Sequence, residues 1–220
     1  VWAALKEAKC PRLQVAAPVS AVQMEYLAGK KPAAMQEAVA ATVAACRKKC
    51  GNVEFMADDA TRADPAFLYE TIRAAIAAGA TVVTVCDTAG AMMPDEFAAF
   101  LSAIYRNVPE IGTVTLGVSC ANTLAMADAC AMAAISEGAG EVKAAAYRVS
   151  TVSTGNLAKL FAAKGSEFGI GSTLAMTQMH RLLDQVTWMC QTGRSKTSPF
   201  DNGVQTGADT FLTAHDNREA

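Results

Sequence analysis

The side chains best suited to chemistry in this sequence stand at the ends of short apolar runs. Asp58 and Asp59 follow VEFMA, Asp87 and Thr88 follow TVVTVC, and Ser119-Cys120-Ala121-Asn122 follow VTLGV. Ser20 and Ser153-Thr154-Gly155-Asn156 end two further runs. Adjacent carboxylates suit acid–base work. The alternative is that Asp59 ties down its loop through Arg62, three residues on, while Asp58 faces a helix N-terminus. Residues 119–122 supply a hydroxyl, a thiol, a methyl and an amide, with neither imidazole nor carboxylate. A nucleophilic Cys120 would need a base or a positive field to ionise. Neither histidine, His180 or His215, falls in a matching unit.

The elements that position these tips repeat one grammar: an apolar run, a polar tip, then an Ala-rich helical pattern. RLQVAAPVS (12–20) leads to a helix over 32–50, VEFMADDATR (53–62) to one over 65–79, and TVVTVCDTAG (81–90) to one over 94–108. VTLGVSCANT (114–123) leads to a helix over 124–138, and EVKAAAYRVS (141–150) to one over 154–165. Gly51, Gly79 and Gly138 read as glycines just past helix ends. Pro65 and Pro94 stand at first-turn positions. Strands alternating with helices imply βαβ units and a parallel sheet, buried on both faces. No G-x-G-x-x-G follows the first strand, which weighs against a dinucleotide fold. Units of this length suit a barrel, and five strands make only part of one. The expected fold is therefore α/β, a partial or rearranged (β/α)8 TIM barrel over residues 1–165. Residues 166–220 read as an extension, with one helix over 173–190 and a polar tail. The opening VWAALKEAKC begins inside a helical pattern, as if its start had been cut away.

Composition narrows the partners. The chain has 220 residues, 52% hydrophobic and 18% charged, with a formal net charge of −2. Nucleic-acid binding calls for clustered cations; the one basic knot, Arg47-Lys48-Lys49, ends a helical pattern, where cations are favoured. The seven cysteines include no C-x-x-C, and most lie in apolar patterns, so a reducing, cytoplasmic setting is expected. Cys46 and Cys50 share a helix face, but no second pair joins them as metal ligands. No leader or membrane span is read. His180, with Met176, Met179 and Leu183, suits partly buried packing, and His215 suits solvent. Trp2, Phe168 and Trp188 suit core or interface positions.

VEFMADDATRADPAFL followed by VVTVCDTAGAMMPDEF resembles the catalytic barrel of the 2-isopropylmalate synthase and homocitrate synthase family, acyl-CoA-dependent Claisen enzymes of the DRE-TIM metallolyase group. D-A-T-R at 59–62 and D-T-x-G at 87–90, on successive strand tips, carry the likeness. KCPRLQVAAPVSAVQMEY (9–26) is similar to the family's fourth-strand segment. The resemblance implies an eight-stranded barrel, acetyl-CoA as substrate, and a divalent metal that polarises a keto-acid carbonyl. It implies metal ligands from an Asp on the first strand, an H-x-H on the seventh and an Asn after the eighth.

The matching positions differ from that pattern. Ser119 and Ala121 stand at the two imidazole positions, and Asn156 is the only matching ligand. Asp58 stands for the family's Glu, Gln14 for its fourth-strand His, and Val149-Ser150-Thr151-Val152-Ser153 for its G-x-G-E-R. Asp201-Asn202-Gly203 and the residues after it loosely match a tail motif, with Thr206 at a His position. Thr88 keeps the carboxylate-binding Thr, and Met92 and Met93 replace more polar neighbours. The resemblance thus implies vestigial catalytic positions at Asp58 and Thr88, and substrate contacts at Gln14, Ser20, Thr88 and Ser119. No resident metal or cofactor is expected. Three functions follow: a non-catalytic structural or regulatory subunit, an acyltransferase completed by a partner chain, or a keto-acid or acyl-CoA binding module. Homo-oligomers or a complex with a full-length relative are expected, without nucleic acid or membrane.

Overall fold

A computed structural model describes residues 1–147 and 150–194. The expected tail features, from Asp201 to Thr206 and at His215, lie outside the described residues. The chain divides into two compact units, Val1–Lys143 and Ala144–Ala220.

The first unit begins with a short helix α1 (Trp2–Leu5) and strand β1 (Leu13–Pro18). Helix α2 (Ala21–Gln23) runs into a π-helical turn, Met24–Ala28, that closes on Gly29 in the left-handed region. Then come α3 (Pro32–Arg47), β2 (Val53–Asp58), α4 (Pro65–Ala77), β3 (Val82–Asp87) and α5 (Pro94–Asn107). Strand β4 (Thr115–Cys120), α6 (Ala127–Ser136) and β5 (Glu141–Val142) complete it. The strands form one parallel sheet in the order β1-β2-β3-β4-β5. The second unit holds β6 (Ala144–Ala145), β7 (Val152–Ser153), α7 (Thr154–Lys164) and α8 (Met176–Arg194). No helix among the described residues is long and apolar enough to cross a membrane.

Alternation along the strands gives the sheet two unlike faces. Val15, Phe55, Val83, Val85 and Val118 are buried together with Phe97, Leu101 and Ile104 of α5 and Met35, Val39 and Val43 of α3. Each such side chain contributes about 1.5–3 kcal/mol when fully buried. The other face carries Gln14, Glu54, Asp58, Thr84, Cys86, Ser119, Glu141 and Lys143. On a flat sheet the outer two of five strands would stand about 19 Å apart. Yet Arg12, just before β1, donates to both oxygens of Glu141 on β5 at 2.8 and 2.7 Å. The sheet is therefore curved as an arc of a barrel, and its polar face is concave. Gly117, in the middle of that arc, is close-packed: a Cβ there would lie 2.5 Å from Thr84 Oγ1.

Four local expectations change. The helix expected from residue 124 begins at Ala127, because Asn122 Oδ1 accepts from Ala127 N and Ala125 takes φ +59°. The fifth run is not one strand: β5 pairs with β4 at only two positions, Gly117 with Glu141 and Val118 with Val142. Gly79 and Gly138 do take positive φ, at +105° and +100°. Gly51 does not, because α3 already ends at Arg47 and a turn through Lys48 and Lys49 intervenes. The late helix starts and ends a few residues beyond its expected bounds.

Candidate functional site

At the C-terminal ends of the strands, register places Pro18 beside Asp58 and Cys86 beside Ser119. Ala57 pairs with Val85, so Asp58 is the next neighbour of Cys86. Asp58, Cys86 and Ser119 therefore form one row on the concave face. The Cys86 thiol stands between the Asp58 carboxyl and the Ser119 hydroxyl, which act on its titration in opposite senses. Burial, with the Asp58 charge behind it, pushes that thiol up to about 12. Burial also pushes the Asp58 carboxyl up, against the Cys86 hydrogen bond. Asp58 thus meets a thiol and not a helix N-terminus.

Asp59 lies just past the end of β2. It is fully buried at φ +60°, and Arg62 grips it with Nε and Nη2 at 2.7 and 2.8 Å. The loop-tying alternative holds for Asp59. Asp87 is buried too. Its Oδ1 accepts from Thr61 Oγ1 and Gly90 N, and its Oδ2 from Met92 N. Thr88 is exposed, and its hydroxyl accepts from Asp59 N at 2.9 Å, lacing the β3 tip to the β2 tip. Ser20 is buried, and its Oγ accepts from Gln23 N as the cap of α2. Gln14 is exposed on the concave side, with its amide donating to Met56 Sδ. Asn156 belongs to the second unit, in the first turn of α7, where its N–H donates to Ser153 Oγ. Cys120 is buried on the helix-facing side, and burial pushes its thiol far up. Both features oppose ionisation of the thiol.

Two groups went unread in the sequence. Cys86 lay inside an apolar run, and only register puts it between Asp58 and Ser119. Deeper in the arc, Glu54 is 2% exposed and accepts from Thr84 Oγ1 at 2.6 Å. Lys143 Nζ lies 2.8 Å from Glu54 and 2.6 Å from Glu141. Burial pushes the Glu141 carboxyl up, but Arg12 and Lys143 outweigh it and hold the carboxyl below its ordinary value. A Glu inside VEFM, between buried Val53 and Phe55, was the available signal.

A divalent cation needs several anionic or imidazole donors converging on it. The row offers one carboxylate, one neutral hydroxyl and one buried thiol; Ala121 offers nothing. Among the described residues no group of three or more His, Cys, Asp and Glu is placed to hold a metal ion. The donors of this arc do not fit the metal that the resemblance implies.

Comparison with known proteins agrees with the fold. The HMGL-like family matches residues 1–186. The chain is 38% identical over 144 residues to 2-isopropylmalate synthases of Pelotomaculum thermopropionicum and Clostridium kluyveri, a stretch covering 66% of this chain but 28% of those proteins. Among solved structures, the hydroxymethylglutaryl-CoA lyase of Pseudomonas aeruginosa superposes with TM-score 0.69 at 16% identity, covering 92% of this chain and 68% of the lyase. The HMG-CoA lyase of Brucella melitensis gives 0.68 at 16% identity, covering 84% and 69%. At such identities the lyases speak for the barrel architecture alone. The parallel arc, the laced D-A-T-R and D-T-A-G tips and the extent of the match agree: this chain belongs to the HMGL-like family of DRE-TIM barrels.

Proposed function

We propose that this chain is a 2-isopropylmalate synthase-like barrel segment that does not carry out metal-assisted Claisen condensation by itself and serves as a non-catalytic structural or regulatory subunit. The observation that carries this reading is the β4 tip. Ser119 carries only a neutral hydroxyl, beside the Cys86 thiol, and Ala121 has no donor, at the two positions where the resemblance puts imidazoles. Polarising a keto-acid carbonyl needs a strong electrophile, and a neutral hydroxyl beside a protonated thiol is a weak one. The barrel part runs over residues 1–165 in this reading, with 166–220 an extension.

Other features support partners and setting. Val22, Tyr26, Leu27, Met93 and Leu124 are large, apolar and exposed, and all follow strand C-terminal ends. No strand among the described residues pairs with the outer edge of β1. Both favour a covering partner, a second copy or a full-length relative. The seven cysteines are free thiols, which favours a cytoplasmic setting.

The test is metal content after equilibration with Zn²⁺, Mn²⁺ or Mg²⁺, together with CoA release from acetyl-CoA and a panel of 2-oxo acids. No stoichiometric ion and no CoA release are expected. A bound ion with turnover by the chain alone would overturn the reading; turnover only after adding a full-length relative would favour the partner-completed acyltransferase. The exposed polar groups of Gln14 and Thr88, with half-buried Ser119, favour a second reading as a keto-acid or acyl-CoA binding module. Thermal shifts with those compounds separate it from the first.

A further inference from the structure

Strand β5 is the least anchored strand of the first unit. It has two residues where β1, β2, β3 and β4 have six each. Glu141 and Val142 are only half-buried, so little apolar burial holds them. The ladder also slips. Gly140 N donates to Leu116 O and Lys143 N to Val118 O, both at 2.9 Å, so three steps along β5 answer two along β4, as in a β-bulge. The other hold on β5 is charge. Arg12 Nη1 donates to both oxygens of Glu141 at 2.8 and 2.7 Å, and Arg12 Nε donates to Asn52 Oδ1 at 3.2 Å. Lys143 Nζ lies 2.8 Å from Glu54 and 2.6 Å from Glu141. Arg12 Nη1 stands 3.7 Å from the same Glu54, and Thr84 Oγ1 of β3 donates to it at 2.6 Å. Two cations and two carboxylates thus face one another on the concave face, each less than a third exposed. Salt screens such pairs less than it screens surface ones.

We infer that this network is a latch: it holds β5 on the arc, and its opening releases β5 from β4 as a local event while β1–β4 stay folded. Elements with few buried apolar contacts open at a lower free energy than the whole fold does. A charge-assisted hydrogen bond to a carboxylate is the strong kind, and here it fastens a strand with only two ladder positions. Strands β2 and β3 have no such dependence. Val53, Phe55, Val83 and Val85 are fully or nearly fully buried, and both strands are paired on both sides. Release takes the donors from the Leu116 and Val118 carbonyls and leaves the outer edge of β4 unpaired, the row of groups by which a sheet recruits another strand. The latch therefore controls a pairing edge from within the chain. Neither metal content nor CoA release bears on it, so the two readings fail separately.

The experiment is amide hydrogen exchange of the full chain, read peptide by peptide by mass spectrometry. Arg12→Gln removes the guanidinium while Lys143 stays to pair Glu54 and Glu141. Lys143 is kept, because its loss would strand the buried Glu54 carboxylate and destabilise the whole unit. Amides at 140–143 are expected to exchange about tenfold faster in Arg12→Gln, with those of β2 and β3 within about twofold of the unchanged chain. Glu141→Gln should act in the same direction and less, because its amide oxygen still accepts from Arg12. Raising NaCl to about 1 M, where screening acts within roughly 3 Å, should also speed exchange at 140–143 first. Unchanged exchange at 140–143 in Arg12→Gln would overturn the proposal. So would acceleration shared equally by β2 and β3, which would make the network part of the global fold and no latch.

Discussion

The tips of β2 and β3 and the tip of β4 stand side by side on one sheet, yet they are built in opposite ways. At β2 and β3 the residues of D-A-T-R and D-T-A-G are present, and their polar groups are engaged with the scaffold. Arg62 holds Asp59, Thr61 and two backbone amides hold Asp87, and Thr88 takes the Asp59 N–H. At β4, where the resemblance implies two imidazoles, stand Ser119 and Ala121, with Ser119 beside Cys86. The motif that makes the chain recognisable is a loop-holding device. Its presence says the barrel rim is formed, and little about what the rim binds.

The largest effect should come where the two tips touch. Gly90 has φ +62°, and a Cβ there would lie 2.6 Å from the carbonyl oxygen of Ala121. The obstacle is backbone, so it does not yield as a side chain would. Gly90→Ala is expected to cost about 3 kcal/mol, from left-handed strain plus displacement of the β4 tip. Urea unfolding measures it. A loss under about 1 kcal/mol would mean that the tips are not locked together.

Next in size is Asp87→Asn. The carboxylate accepts three hydrogen bonds with both oxygens while buried. An amide turns one acceptor into a donor facing an N–H. The expected cost is about 2 kcal/mol, read from the same unfolding curves. A neutral outcome would reduce the lacing at β3 to a packing contact.

How much of this was legible follows from where the information sits. Strands β2, β3 and β4 were readable because each is a local apolar run. Pro65 and Pro94 marked helix starts because their fixed φ suits a first turn. The Asp59–Arg62 pair was readable from its three-residue spacing. Cys86 was not, because its role exists only across strands, between Asp58 and Ser119. The Glu54–Lys143 and Arg12–Glu141 pairs are likewise long-range, and no local pattern announces them. The start of α6 was misplaced because a cap from Asn122 and a left-handed Ala125 intervene before the helix, and Ala-rich periodicity is blind to both.

A smaller effect tests the floor beneath both tips. The folded Glu141 carboxyl titrates below its ordinary 4.5. Its ion pairs therefore stabilise the fold fully above that value and are lost as pH falls through the folded value. Lys143 is shifted the other way: burial lowers its ammonium, Glu141 and Glu54 outweigh that, and it titrates above 10.5. That part of the stability is complete below 10.5 and lost as pH rises beyond it. Glu141→Gln should flatten the acid side of a melting-temperature profile and leave neutral pH little changed. A parallel profile would separate the floor from folding.

The smallest effect bears most directly on the β4 tip. Ser119 is half-buried beside Cys86, so Ser119→Ala should cost about 0.5–1 kcal/mol. Its chemical signature is sharper than its stability effect. Burial and Asp58 already hold the thiol near 12, and the Ser119 hydroxyl is the group that opposes them. Removing it should push Cys86 higher still and slow its alkylation at alkaline pH. In a protein whose other cysteines are blocked or replaced, that rate isolates Cys86. A faster rate would mean that Ser119 shields the thiol and does not lower it. The β4 tip would then be an open polar slot, and its contrast with the closed tips of β2 and β3 would be one of access and not of bonding.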